Sequence, residues 1–355
     1  MLSQPKPAPK KKKFINSINY FRGIAIILIV LGHSYDLARW EISSNFGSFI
    51  YSLSLNGTVY FVFISGFLYN HIFYQRFNYQ KFMLKKAQYV LLPYLLFSII
   101  PILLTVFSGG GESLPNELTN RPFLAVLWYL ITGKVIFAYW YIPMAMLLFA
   151  VSPLINLIIR SGRVLESFLF LLPISLIIHR PIENLNALHS LVYFLPIYIL
   201  GIWSSINNQK IYAYLKDNKK KLVLLLIAIA LGLIQVMVFN ETGNFHKEFW
   251  SITIPDVNLL QKIVLCFLFM SILDRYEDTD ITSLKKTAET SFAIYFIHPF
   301  FINFLYSLSL KLNINFEGNF LTLIVATFVA LLGSMAIAIT IKAILKKNSR
   351  YLIGW

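Results

Sequence analysis

The sequence predicts an all-α fold, a polytopic bundle of about ten transmembrane helices with both the N- and C-termini in the cytoplasm. Of 355 residues, 57% are hydrophobic and only 13% charged, too little polar surface to cover a soluble globule of this size. The apolar runs are continuous rather than alternating, which excludes a barrel and leaves helices as the structure that satisfies backbone amides in hydrocarbon. Lys and Arg divide unevenly between the two sides when loops alternate from a cytoplasmic N-terminus, 22 inside against 6 outside.

Roughly 20 apolar residues cross a bilayer. That length places spans at 18–37, 50–73, 88–107, 140–159, 165–179, 188–206, 221–239, 257–273, 288–309 and 320–344. Segment 123–138 reads as a short re-entrant or surface helix, and counting it as a crossing would raise the total to eleven. The predicted organisation is a basic cytoplasmic tail over 1–17, one transmembrane domain over 18–345 and a cytoplasmic tail over 346–355. The net charge of +15 follows the loops instead of an aromatic-interleaved surface, so nucleic acid is not an expected partner; the bilayer is. Cys266, the single cysteine, permits no internal disulfide and no cysteine metal cluster.

The first span follows Lys10 to Lys13, a run like the start of a signal peptide. The apolar stretch behind it carries Arg22 and His33 and lacks a small-residue cleavage site, so it reads as a retained helix. Ionisable groups inside spans are costly and are functional candidates by default. Arg22 and His33, eleven residues apart, lie on one helix face with a rise of about 16 Å. This sets a guanidinium near the inner surface and an imidazole near mid-bilayer. A guanidinium there suits a phosphorylated cytosolic ligand, and an imidazole suits proton transfer near neutral pH. The plainer alternatives are a snorkelling Arg22 and a satisfied interior His33. Asp36, one turn beyond His33, either orients its ring or is solvated at the outer helix end.

In the second span Phe63-Ile64-Ser65-Gly66-Phe67-Leu68 puts a small pair where two backbones or a slender ligand can approach. Lys85 and Lys86 lead into the third span. Trp140 and Tyr141 open the fourth, as part of an interfacial aromatic belt or as a platform for a sugar. The ninth span places Ser291, Tyr295 and His298 on one face, with Pro299 next to them predicting a kink and an exposed carbonyl. At about 18 Å from Lys286, His298 matches the depth of His33. There is no Walker or dinucleotide-binding glycine loop, no His-Glu-x-x-His and no nucleophile elbow. That argues against an ATP-driven pump or a metallopeptidase, and no metal is expected.

These motifs occur together and in order: Arg-x10-His, Phe-x-x-Ser-Gly-Phe-Leu, Trp-Tyr-x-Pro, then Ser-x-x-x-Tyr-x-x-His-Pro. In this the chain resembles, over nearly its whole length, the acyltransferase family 3 membrane proteins, including fucose 4-O-acetylase-like members. The resemblance implies transfer of an acyl group, usually acetyl from acetyl-CoA, to a hydroxyl of a surface glycan or lipid-linked sugar, in a bacterial plasma membrane. It puts His33 in the place of the family's essential histidine and Arg22 in that of the arginine on the acyl-CoA side. Ser65, Gly66, Tyr295 and His298 match the other motif positions. Where relatives often show Arg-x-Arg after the second helix, this chain has Lys85-Lys86, which keeps the charge but loses the bidentate fork.

The expected reaction brings acetyl-CoA from the cytoplasm, its phosphates on Arg22, Lys85 and Lys86, its thioester at His33. His33 acts as general base or forms an acetyl-histidine; Tyr295, His298 or Ser65 donates to the oxyanion. The alternative is an exporter or flippase of a glycan or lipid-linked sugar.

Overall fold

In the computed structural model, which describes residues 14–109, 111, 114–251 and 253–355, the ten apolar runs are mainly helical, and three of them are broken, at Ser34, at 55–57 and at Val151. The lysines expected to form the basic tail, Lys6 and Lys10 to Lys13, lie outside the described residues. The helices are α1 (Asn16–His33), α2 (Tyr35–Ala38), α3 (Asn45–Ser54), α4 (Thr58–Leu68), α5 (Tyr79–Lys86), α6 (Leu92–Phe107) and α7 (Pro122–Thr132). They continue as α8 (Tyr141–Ala150), α9 (Ser152–Arg160), α10 (Val164–Ile178), α11 (Ala187–Ile206), α12 (Asn208–Leu215) and α13 (Asn218–Leu233). The last four are α14 (Val257–Leu273), α15 (Thr282–Lys311), α16 (Phe320–Leu345) and α17 (Ser349–Ile353). Two-residue strands β1 (Arg180–Pro181) and β2 (His246–Lys247) pair in parallel, Arg180 opposite His246. Among the described residues seven helices are long and apolar enough to cross a membrane, and α8 with α9, bent by 51°, makes an eighth. The chain is therefore an all-α multi-pass membrane protein.

The segments expected on the inside gather at one end. Backbone N–H groups of Asn16 and Ser17 donate to the Glu277 carboxylate at 3.0 and 2.8 Å, placing an anion at the positive end of the α1 dipole. Ser17 also meets Tyr212, and Arg275 meets Asn218. Within residues 346–355, α17 docks on α6, α15 and α16, with Ile353 fully buried. At the opposite end Arg39 donates to Ser309, and the Arg180 backbone N–H to the Phe245 carbonyl.

Two packing features set the frame of the site. α1 runs through the middle of the bundle against α4, α14, α15 and α16. α4 crosses α11 at a pair of glycines: a Cβ at Gly66 would lie 2.0 Å from the Tyr198 carbonyl oxygen, and one at Gly201 2.0 Å from that of Phe63. Of the two uses left open for the Ser65-Gly66 pair, the structure takes close backbone approach.

Candidate functional site

α1 stops at His33, where Ser34 leaves helical geometry and turns its hydroxyl back to the Val30 carbonyl. His33 lies seventeen residues beyond Asn16 and His298 sixteen beyond Thr282, distances of about 25 and 24 Å along their helices. They are level, with ring centroids 5.5 Å apart. α1 ends at His33, four residues short of the expected end of the first span, whereas α15 runs thirteen residues beyond His298.

His298 is completely buried, and its Nδ1 lies 3.0 Å from the Ile294 carbonyl oxygen. A carbonyl only accepts, so Nδ1 carries the hydrogen and Nε2 presents a lone pair. Nε2 has no hydrogen-bond partner among the described residues. Despite Pro299, α15 continues as one helix of 30 residues. Two carbonyls near the proline are used: that of Ile294 by His298, and that of Phe296 by the Tyr139 hydroxyl at 2.8 Å.

Loop 133–140 closes over the pair. Tyr295 donates its hydroxyl to the Ala138 carbonyl at 2.6 Å while Tyr139 donates to Phe296, so the loop and α15 are tied in both directions. Gly133, at φ 68°, lets the chain fold back on Trp140, where a Cβ would clash at 2.6 Å. Phe137 is thereby held 4.7 Å from the His33 ring and 6.1 Å from that of His298.

His33 opens on a cavity of about 130 Å³ that also reaches Trp140, Tyr141, Tyr295 and Arg180. Phe137 is also in the wall of an outer cleft of about 1190 Å³, which His33 lines too, and of a side cavity of about 530 Å³, which Trp140 lines too. Asp36 lines only the outer cleft and is exposed. Among the described residues no hydrogen bond joins it to His33, so the solvated alternative holds and the neighbour of the His33 ring is His298. Ser65 does not line the cavity; it faces the Tyr141 hydroxyl. Trp140 is buried rather than spread in a lipid-facing belt, stacked on Phe194 at 6.0 Å and covered by the Arg180 guanidinium at 4.7 Å.

The three residues expected to meet acyl-CoA are spread out. Arg22 donates from Nη2 to Asn19, and its buried Nε has no partner among the described residues. Lys85 lines a cavity of about 280 Å³ at the basic end together with Arg76 and Lys81. Lys86 turns away from it into an aromatic cage, 4.1 Å above Phe149 and 5.2 Å from Phe82. Arg22 is not among the residues lining that cavity.

The sequence reading missed two cations. Arg180, counted there only as a loop charge, is 4% exposed, and no hydrogen bond engages its side chain among the described residues. Burial pushes its pKa down to about 10, which Tyr193 and Asp256 partly offset, so it remains a cation at neutral pH. The amide oxygens of Asn56, Asn184 and Asn244, in the same cavity wall, are also buried without partners. Around this wall His179, Glu183, Asn184 and Asn56 hold φ between 50 and 59°. Asn tolerates that conformation, whereas His and Glu store on the order of 1 kcal/mol or more of strain. Lys262 is fully buried and donates to the Ser52 and Leu53 carbonyls at 2.9 and 2.8 Å, tying down the end of α3 just before Asn56. A lysine inside an apolar span is itself a signal that would have found it.

Compared with known proteins, residues 15–339 match the family model described as an acyltransferase domain. No curated protein and no solved structure matches the chain.

Proposed function

The chain belongs to acyltransferase family 3, whose model spans most of its length, and on that premise we propose a specific reaction for it. It transfers acetyl from cytosolic acetyl-CoA to a hydroxyl of an extracytoplasmic or lipid-linked polysaccharide, in a bacterial plasma membrane. The observation that carries this reading is His33 on a cavity whose wall also carries Arg180 and three asparagines, backed by a His298 whose Nε2 has no partner among the described residues.

In this reading the basic end faces the cytoplasm, as the loop charges favour. The phosphates of acetyl-CoA bind among Arg76, Lys81 and Lys85, and Arg22 guides the donor along α1. The acceptor hydroxyl enters beside Trp140 and Tyr141. His33 takes its proton as the oxygen bonds to the acetyl carbon. The carbon–sulfur bond then breaks, and the proton goes to the leaving thiolate, giving an ester and free CoA. General-base assistance of this kind contributes about 10²–10⁴ in rate. His298 positions the His33 ring, and His33 as a covalent acetyl carrier is the two-step form of the same reaction.

The test compares O-acetyl content of isolated surface glycan, by proton NMR, in cells carrying wild type or His33→Ala at equal membrane level. Loss of acetyl signal with normal glycan quantity supports transfer. Unchanged acetylation sinks the assignment, and loss of the surface glycan itself points to export.

A further inference from the structure

Resting on the acyl-transfer reading, we propose that the acceptor bound beside His33 carries an anionic substituent, a carboxylate or a phosphate, and that Arg180 binds it. The cavity wall has one charged side chain, and it is positive; no Asp or Glu lines it. Arg180 is 4% exposed, with no carboxylate in ion-pair contact and an unpartnered Nε among the described residues. Leaving a guanidinium buried with no anion beside it and its Nε–H unmet is costly unless an anion arrives.

The one buried carboxylate in the vicinity is already engaged. Asp256 accepts from the Tyr193 hydroxyl at 2.8 Å and from the Leu259 backbone N–H at 2.8 Å, capping α14. It also serves a surplus of positive charge, since the buried Lys262 lies within its electrostatic reach as well.

Its placement is defined by two rings and by the backbone. The guanidinium carbon lies 4.7 Å from the Trp140 ring centroid and 5.8 Å from that of Phe194, and the Arg180 backbone is held by its strand pairing. Its N–H edge is left for a planar or tetrahedral oxyanion, the geometry in which Arg excels. The rest of the wall offers the opposite chemistry, the unpaired amide oxygens of Asn56, Asn184 and Asn244, which accept from hydroxyls. One cation among several acceptors suits a polyhydroxylated ring bearing a negative group. A neutral sugar can accept from the guanidinium through its hydroxyl oxygens but leaves the buried charge uncompensated.

The full-length protein in detergent, supplied with acetyl-CoA, is assayed by free-thiol formation with methyl glucuronoside, methyl glucoside and glucose 1-phosphate as acceptors. Wild type is expected to favour one of the two charged acceptors over the glucoside at least tenfold in kcat/KM, and the favoured one distinguishes carboxylate from phosphate. In Arg180→Gln that ratio falls toward one through KM, and Arg180→Lys recovers part of it. Thermal stabilisation by the same three compounds without acetyl-CoA reads binding alone. A charged acceptor that stabilises wild type but not Arg180→Gln, in a protein that transfers no acetyl, keeps the anion site and overturns the acyl-transfer reading. The absence of any charge preference in both assays overturns the anion site. A kcat loss in Arg180→Gln equal for charged and neutral acceptors also overturns it, because it would assign Arg180 to the reacting carbonyl.

Discussion

The imidazoles of His33 and His298 lie level with one another, centroids 5.5 Å apart, and among the described residues a hydrogen bond is found for His298 alone. His298 commits Nδ1 to the Ile294 carbonyl and keeps Nε2 free. Replacing His33 by Ala is expected to lower kcat about 10²–10⁴-fold. His298→Asn retains a donor for Ile294 but lacks an atom at the Nε2 position, and should lower kcat roughly tenfold or more with little change in the KM for acetyl-CoA. Because the two rings act as a unit, the double variant should be no slower than His33→Ala alone. Free-thiol kinetics check this, and a His298→Asn enzyme at the wild-type rate would remove His298 from the mechanism.

Phe137 is shared by the walls of the cavity at His33 and of the two outer ones. Truncation to Ala should join them and admit water to the thioester, so thiol release without acceptor rises several-fold relative to acetyl transfer. Phe137→Leu, which keeps most of the bulk, should hold the ratio near wild type. If Ala and Leu variants partition the donor as wild type does, Phe137 is only packing.

What the sequence disclosed and what it hid divide along a physical line. Spans follow from hydropathy and local length, so the apolar runs are mainly helical, while the breaks at Ser34, 55–57 and Val151 fall inside runs that hydropathy reads as continuous. The matching depth of His33 and His298 followed from their rises along the helices, but that α1 and α15 are neighbours and bring the rings together was not legible. The end of α1 was not legible, because Leu31 and Gly32 continue the apolar run that Ser34 breaks. Arg180 could not have been found from its surroundings in sequence: it reaches the cavity only because β1 pairs with β2, 66 positions later in the chain. Lys86 shows the same limit, since the rings of its cage come from three separate segments, at Phe73, Phe82 and Phe149.

At the α4–α11 crossing, a methyl group at Gly66 meets a backbone oxygen, which cannot rotate away as a side chain can. Gly66→Ala should therefore destabilise at the upper end of the overpacking range, about 3 kcal/mol. Ser65→Ala, one residue away, removes only a contact with Tyr141 and should cost about 1 kcal/mol. Thermal unfolding in detergent orders the two, and a Gly66→Ala protein as stable as Ser65→Ala would mean that the helices separate freely there.

Acid should loosen the cap that carries Arg180. His246 holds the Pro181 carbonyl through Nδ1 at 2.6 Å, across the β1–β2 bridge. Burial, aided by the nearby Arg180 charge, lowers its pKa from 6.5 to about 4. His179, next to Arg180, is also lowered, chiefly by burial, with Asp256 opposing. A folded pKa below the unfolded one means that the unfolded chain binds the proton first, so stability is complete above about pH 6.5 and declines as pH falls toward 4. His246→Asn keeps a donor where Nδ1 stood and cannot titrate in this range. Melting curves at pH 7, 6 and 5 should show wild type losing more than the variant at each step. Parallel losses would mean that acid acts elsewhere and that His246 is protonated in the folded cap without penalty.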